Sequence, residues 1–592
     1  MKNRSYYLLL QIFIFAFYNC TKTTDVHNDD KINNIAENYY KERMQLFPFE
    51  AQANGINDYN DKFPIDISQT FRDSLSRFAW KIKAQLGELK NKKLGDNAQI
   101  TSDILNWEND RIIESLKFPD NLSPINQFWG KTIDLGQLGS GESTQPFKTK
   151  KDYENWLARM LHFPAWCDTA ISNMRKGMAY GWVLPKSLVL KMLPQFQTMA
   201  ETPTEKHVYF GPIDKLKTNA AITDPDKIKL TSDYTALINN NIKPNHKKIY
   251  DFLKNEYLPV ARPTSGINAV PNGRAYYNFL IKYWTTTDLS ADQVFDIGQK
   301  EVARIRAEME KVKTSVGFKG DLKSFFKFVN TDNKSLMPFT QPAQVLSHFD
   351  SIYKKMQPQL EKLFNKKPKT RFEIRRTETF REVSASAEYI PGNLEADRAG
   401  IFYVPLPDVK NYNIFQDESS FLHEAIPGHH YQGMLQSENK SLPSFRRYLW
   451  YGAYGEGWAL YCEGLGKDLG LYTDPYQYFG RLGAEMHRAI RLVVDVGLHV
   501  KNWTREQAIQ YDLDNEAESV ENVTAEIERY MAIPGQALSY KIGEQKILEL
   551  KNKAQTKLGD KFNIRAFHNG VLSDGCVPLE ILEKKIIRRF EL

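Results

Sequence analysis

The sequence predicts a large, mainly α-helical body with one short β-excursion. Three observations carry that prediction. Apolar residues return at three- and four-residue spacing through long segments rich in Leu, Ile, Lys, Glu and Gln, the mark of amphipathic helices. The breaks between these segments are short and made of Pro, Gly and Asn. One region, 387–404, changes period and becomes rich in β-formers.

Size and composition allow such a body. The 592 residues far exceed what a sizeable core needs. With 42% apolar and 26% charged residues, a disordered or collagen-like chain is excluded. The formal charge of +7 is the small difference between 79 basic and 72 acidic residues, and it implies no nucleic-acid partner. The basic run of Lys366, Lys367, Lys369, Arg371, Arg375 and Arg376 reads as a solvated face. None of the four cysteines lies in a CxxC pair, so no cysteine-based zinc site is visible, and Cys462 reads as a small buried thiol.

In chain order, Met1–Arg4 is basic and Tyr6–Tyr18 is almost wholly apolar, which is the pattern of a secretory signal too short to span a bilayer well. The apolar run ends at Asn19-Cys20. That resembles a bacterial lipoprotein signal over residues 1–19 with Cys20 lipidated, plain secretion being the alternative. Either way the mature protein is exported to the cell envelope or beyond, and a lipid anchor at Cys20 is its only expected membrane contact. Residues 20–34 are polar and read as a flexible tether. Residues 35–592 read as a single helical domain. Its predicted helices include Ser68–Lys90, Thr101–Leu116, Lys151–Met178, Asp292–Val316 and Pro342–Phe364. Between Ala387–Ile390 and Ile401–Val404, two short β-rich runs, lies a stretch full of turn residues. That predicts a hairpin or two paired strands just before the most informative stretch of the chain.

That stretch is Phe421–Gln432. It holds His423, Glu424, His429 and His430, although the chain has only 11 His. A catalytic zinc commonly takes three protein ligands and keeps one position for water, with a separate carboxylate to take that water's proton. The simplest helical arrangement is HExxH, with two His on one face. Here Pro427-Gly428 intervenes. In an unbroken helix His423 and His429 would point about 120° apart, and His430 would lie about 10 Å along the axis from His423. Pro427 clashes with the carbonyl four residues before it, that of His423, and Gly428 tolerates unusual dihedrals, so a bulge is expected. Remove those two residues and the string reads HExxH. His423 and His429 are then the candidate ligands, with His430 as the alternative second ligand or a substrate-facing group. Glu456 opens a second helical-looking stretch and is the candidate third ligand for one zinc ion. Glu463, seven residues on and on the same face, is placed to orient a ligand His. Glu424 is the candidate general base.

Together, HEAIPGHHYQ at 423–432 and EGWALYCEGL at 456–465 resemble the DUF885 family, a bacterial domain of unknown function grouped with the gluzincin metallopeptidases. The resemblance extends through Ala399–Val404, Arg491–His499, Trp503–Ala508, Arg529-Tyr530, Pro534–Lys541 and Phe567–Leu579. It implies a zincin-like helical fold with a small sheet beside the motif helix and a deep cleft suited to short peptides. In the gluzincins it resembles, the first Glu of a downstream helix is the third ligand, which corresponds to Glu456. A Tyr, His or Arg from a late helix often stabilises the oxyanion. The resemblance makes Tyr530, Tyr540, Arg529 and His499 candidates. On periodicity alone, Glu485, Arg488, Arg491, Asp495 and His499 form a solvated helix face. The resemblance instead suggests that Arg491 and His499 line the cleft. Phe402 and Tyr403 are read either as core or as an edge strand that a peptide could extend.

The expected activity is therefore zinc-dependent hydrolysis of peptide bonds, with a peptide or small amide as the only expected partner. The alternatives are hydrolysis of another amide or ester, such as a cell-wall fragment, and a lipoprotein that binds peptides without cleaving them.

Overall fold

The computed structural model describes residues 27–592 apart from 379–381, 383–384 and 396. The signal segment and Cys20 lie outside the described residues. The chain forms two compact units. The first comprises residues up to 183 with 189–260 and 441–446, and the second 184–188, 261–440 and 447–592.

The first unit is helical. Its first described helix, 27–46, takes in part of the segment expected to be a tether, because Ile32, Ala36 and Tyr39 recur on one face and are fully buried. Ser68 caps Gln69–Gly87 by accepting from the Phe71 amide, the helix expected at Ser68–Lys90. The helix expected at Thr101–Leu116 spans Asp96–Ser115. The run expected as one helix from Lys151 to Met178 is two, Lys150–Met160 and Phe163–Tyr180. Pro164 sits in the first turn of the second, where its missing N–H costs nothing and the preceding helix cannot continue.

The second unit carries the sheet and the histidine motif. Ala291–Ser315 is capped by Ser290 and buries Val294, Gly298, Val302, Ile305, Met309 and Val312, a stripe at helical spacing. Each large apolar side chain so buried contributes about 1.5–3 kcal/mol over its exposed state. This helix packs along Pro475–His499. The helix expected at Pro342–Phe364 ends at Met356, where Pro358 forces a short tighter turn before Leu360–Leu363.

The sheet has three strands: β1 (Phe372–Arg376), β2 (Glu388–Ile390) and β3 (Gly400–Val404), in the order β1-β3-β2. β2 and β3 pair antiparallel, as the two β-rich runs predict. β1 pairs parallel to β3 and arises inside the basic run that was read only as a solvated face. Arg375 and Arg376 remain outside on β1, paired with Glu373 and Glu382. β3 is the central strand, which corrects the edge-strand reading of Phe402 and Tyr403. Both sides of β3 are occupied, and Phe402 is fully buried against Phe349 and Phe421.

Candidate metal centre

The motif does not form one helix. Asp417–Glu424 ends in a turn, the Ile426–Pro427 peptide is cis, and a new helix, His429–Ser437, begins immediately. Gly428 is needed at this break. A Cβ there would lie 1.9 Å from the His423 carbonyl oxygen, far inside contact distance. The Pro427 carbonyl, exposed by the break, accepts from the Trp458 indole N–H at 2.9 Å. Trp458 belongs to Gly452–Glu463, the helix that also carries Glu456. One hydrogen bond therefore ties the histidine turn to the glutamate helix.

The break turns His423 and His429 toward each other, with ring centroids 4.9 Å apart and ring planes perpendicular. Glu456 meets both. Its Oε2 lies 3.5 Å from His423 Nε2 and 3.5 Å from His429 Nε2. The three candidate ligand atoms all lie within 4.8 Å of one another. A separation of 3.5 Å is too long for a good N–H···O hydrogen bond. It matches the edge of a tetrahedron, since atoms held roughly 2.0–2.1 Å from a zinc ion are about 3.4 Å apart. The donor set and spacing thus fit a small tetrahedral ion. Glu424 approaches to 4.0 Å from His423 Nε2 and keeps part of its side chain exposed.

The surroundings orient this trio. Glu463 Oε1 accepts from His423 Nδ1 at 2.8 Å, and its other oxygen accepts from Ser419 Oγ at 2.7 Å. That fixes the His423 ring and leaves Nε2 facing Glu456. Burial opposes a charge on His423, but the carboxylates of Glu456, Glu463 and Glu424 outweigh it and raise its pKa to about 9. Burial likewise disfavours a charged Glu456 and Glu463, yet the histidines facing Glu456, and His423 beside Glu463, hold both carboxyls below their usual range. The site is strongly attractive to positive charge.

His430 points elsewhere. Its Nδ1 meets the Tyr389 hydroxyl at 2.8 Å on β2, its ring packs on Phe372 of β1, and burial lowers its pKa to about 4. Along Pro475–His499, Glu485, Arg491, Asp495 and His499 form a buried polar ladder rather than a solvated face, and Arg491 and His499 do not line the cavity that Arg488 of the same helix reaches. Both ring nitrogens of His499 are taken by backbone, one accepting from the Ile267 amide and the other facing the Tyr530 carbonyl. Asp495 accepts from the Tyr277 hydroxyl and the Gly535 amide. The Tyr530 hydroxyl sits between Arg491 and Glu526, and Arg529 also pairs with Glu526. Tyr540 lies beneath the Arg491 guanidinium, 4.7 Å from ring centroid to carbon. His499 and Tyr530 are thus held among these partners, and His430 against the sheet, rather than in the trio.

Sequence reading missed several positions. Ser419, one turn before His423 and on the same face, was open to the spacing argument used for Glu463, whereas Trp458, two residues after Glu456, points to a different face and was not. Half-exposed Trp450 packs against His429 with ring centroids 5.7 Å apart and planes tilted at 57°, and nothing in the motif pattern marks it. A cavity of about 430 Å³ also opens beside His423 and Glu424, lined in part by Ser419, Glu463, His487 and Arg488.

A family model described as a bacterial protein of unknown function (DUF885) matches residues 48–586. The fold is similar to the crystal structure of a lipoprotein candidate from Colwellia psychrerythraea, with a TM-score of 0.85 and 27% identity over 95% of this chain and 99% of that one. A lipoprotein candidate of unknown function from Shewanella oneidensis shares the fold at a TM-score of 0.73 and 18% identity, over 94% of this chain and 99% of that one. No curated protein matches the chain.

Proposed function

This chain belongs to the DUF885 family of bacterial proteins, and from that premise we propose that it is a zinc-dependent hydrolase of peptide bonds, with the gluzincin-like arrangement its motif resembles. One observation carries the proposal. His423 Nε2, His429 Nε2 and Glu456 Oε2 converge on a common point, with both histidines 3.5 Å from the carboxylate. These three would hold the ion, and Glu463 and Ser419 would fix the first of them. Zinc held there would supply Lewis-acid chemistry, making a water more acidic and polarising the scissile carbonyl.

The protein's own work is done by the groups around it. Glu424 follows His423 directly and is the one carboxylate of the motif that neither binds nor orients a ligand. It takes the proton from the attacking water and returns it to the leaving amine. Pure binding of a peptide would not call for such a base.

Export also belongs to the proposal. It is supported by the basic and apolar N-terminal pattern ending at Cys20, and by the descriptions of the two similar structures as lipoprotein candidates. Among the described residues no helix is long and apolar enough to cross a membrane.

The test is zinc content and peptide-library cleavage, measured on the same samples. The purified protein should hold about one zinc per chain. His423→Ala, His429→Ala and Glu456→Ala should lose it, and His430→Ala should keep it. Glu424→Gln should keep zinc and lose cleavage by roughly 100-fold or more. A wild-type protein that takes up no zinc when supplied with it would overturn the proposal.

A further inference from the structure

The cavity beside Glu424 holds an arginine, Arg488, that makes no ion pair among the described residues, although its charge is felt by Glu463 and Glu516 and its guanidinium carbon lies 5.9 Å from the Tyr540 ring centroid. Its guanidinium donates from Nη1 to the Ala484 carbonyl, a turn back on its own helix, and its Nε is buried without a partner. Neighbouring arginines behave differently: Arg491 and Arg529 pair with Glu526, and Arg481 pairs with Glu485.

The carboxylates of the same cavity are already engaged. Glu463 is held by His423 and Ser419, Glu516 by His487, and Glu518 by the Asn522 amide. Glu424 is reserved for the reaction. Phe326, Phe415 and Phe479 also line the cavity. The volume, about 430 Å³, lies at the small end of ligand pockets, which run roughly 300–1,000 Å³. Such a space holds a residue or two of a peptide. Arg488 is half-buried with a buried, unpartnered Nε, and a carboxylate is the group that satisfies such a guanidinium best, through two parallel N–H···O bonds.

We propose that Arg488 receives the free C-terminal carboxylate of the substrate, placing an apolar terminal residue in this cavity. Resting on the hydrolase reading above, this makes the protein a peptidase that cleaves near a free C-terminus. Arg488 is then a specificity-determining residue, and its contribution appears in substrate binding more than in turnover.

The experiment compares Ala-Ala-Phe and longer peptides ending in Phe, as acids and as C-terminal amides, on zinc-loaded full-length wild type, Arg488→Gln and Arg488→Lys. Wild type should prefer the acids by on the order of 10- to 100-fold in kcat/KM, chiefly through KM. Arg488→Gln should abolish the preference and Arg488→Lys should retain part of it. Equal cleavage of acids and amides by wild type would overturn this inference and leave the hydrolase reading intact. If wild type cleaves no peptide, the hydrolase reading fails by itself. Calorimetric binding then decides the role of Arg488: acid binding tighter than amide in wild type but not in Arg488→Gln supports it, and equal binding overturns it.

Discussion

His423 carries the sharpest consequences at the scale of single residues. In the metal-free protein its ring keeps a proton up to about pH 9, because three carboxylates surround a buried imidazole. A metal ion takes only the neutral ring, so binding releases that proton. Below pH 9, each unit of acidification should therefore weaken apparent zinc affinity by about tenfold through this group. Competition titrations against a chelator at pH 7.0 and 8.5 would check this, and an affinity unchanged across that interval would contradict it. Glu463→Gln keeps the shape of the side chain but removes the charge that aims His423 Nε2. It should cost about 10- to 100-fold in zinc affinity. Direct binding titrations of both proteins at one pH would measure it, and wild-type affinity in the variant would count against a positioning role. The trio was legible in the sequence because chemistry restricts such ligands to His and carboxylate and the motif clusters them. The placing of His499 and Tyr530 was not legible. The backbone groups that hold His499, and Arg491 beside Tyr530, are far away in sequence, and spacing carries no trace of those.

Elements fix the site by close approach. The glutamate helix, Gly452–Glu463, packs on Ser539–Leu558 through Gly457 and Gly543. A Cβ on Gly543 would lie 1.8 Å from the Ala453 carbonyl oxygen. Gly543→Ala must push the two helices apart, and overpacking of this kind costs about 1–3 kcal/mol or more. Because Glu456 sits on the displaced helix, the variant should lose zinc affinity along with melting temperature. Loss of stability with unchanged zinc affinity would show that the helix contact does not position the ligand. Helices with strong stripes, such as Ala291–Ser315, were readable within a residue at each end. The errors came where a proline interrupted a continuous stripe, at Pro164 and Pro358, since apolar periodicity runs on across the break. β1 was hidden because its charged residues, Arg375 and Arg376, face outward at the end of a basic run, and only its pairing with β3 makes it a strand. Pro427 was the informative exception. The clash argument located the interruption, and the structure replaces the expected bulge with two separate helices.

At the scale of the whole molecule, the second unit buries carboxyl groups whose pKa values burial pushes up: Asp495 to about 7 and Asp512 to about 9, the latter also facing Glu516. The folded state holds these protons more tightly than the unfolded chain. Their stabilising contribution is therefore complete below the unfolded pKa, near 4, and is lost as pH rises through 7 and then 9. Buried neutral histidines such as His499 and His568, lowered to about 3 and 4, act in the opposite sense, but only below about pH 6.5. Melting temperature should thus fall between pH 6.5 and pH 9.5, and Asp512→Asn should flatten that fall. A thermal scan as steep in the variant as in the wild type would contradict the assignment. Another consequence follows from the hydrogen bond between Trp458 and the Pro427 carbonyl. Like the Gly457–Gly543 contact and the Ser419–Glu463–His423 chain, it joins protein to protein, and none of the three passes through the ion. Folding and metal loading are then separable events. On the zinc reading proposed above, a chain that folds without zinc should remain able to take it up, and a chelated sample should reload without passing through an unfolded state.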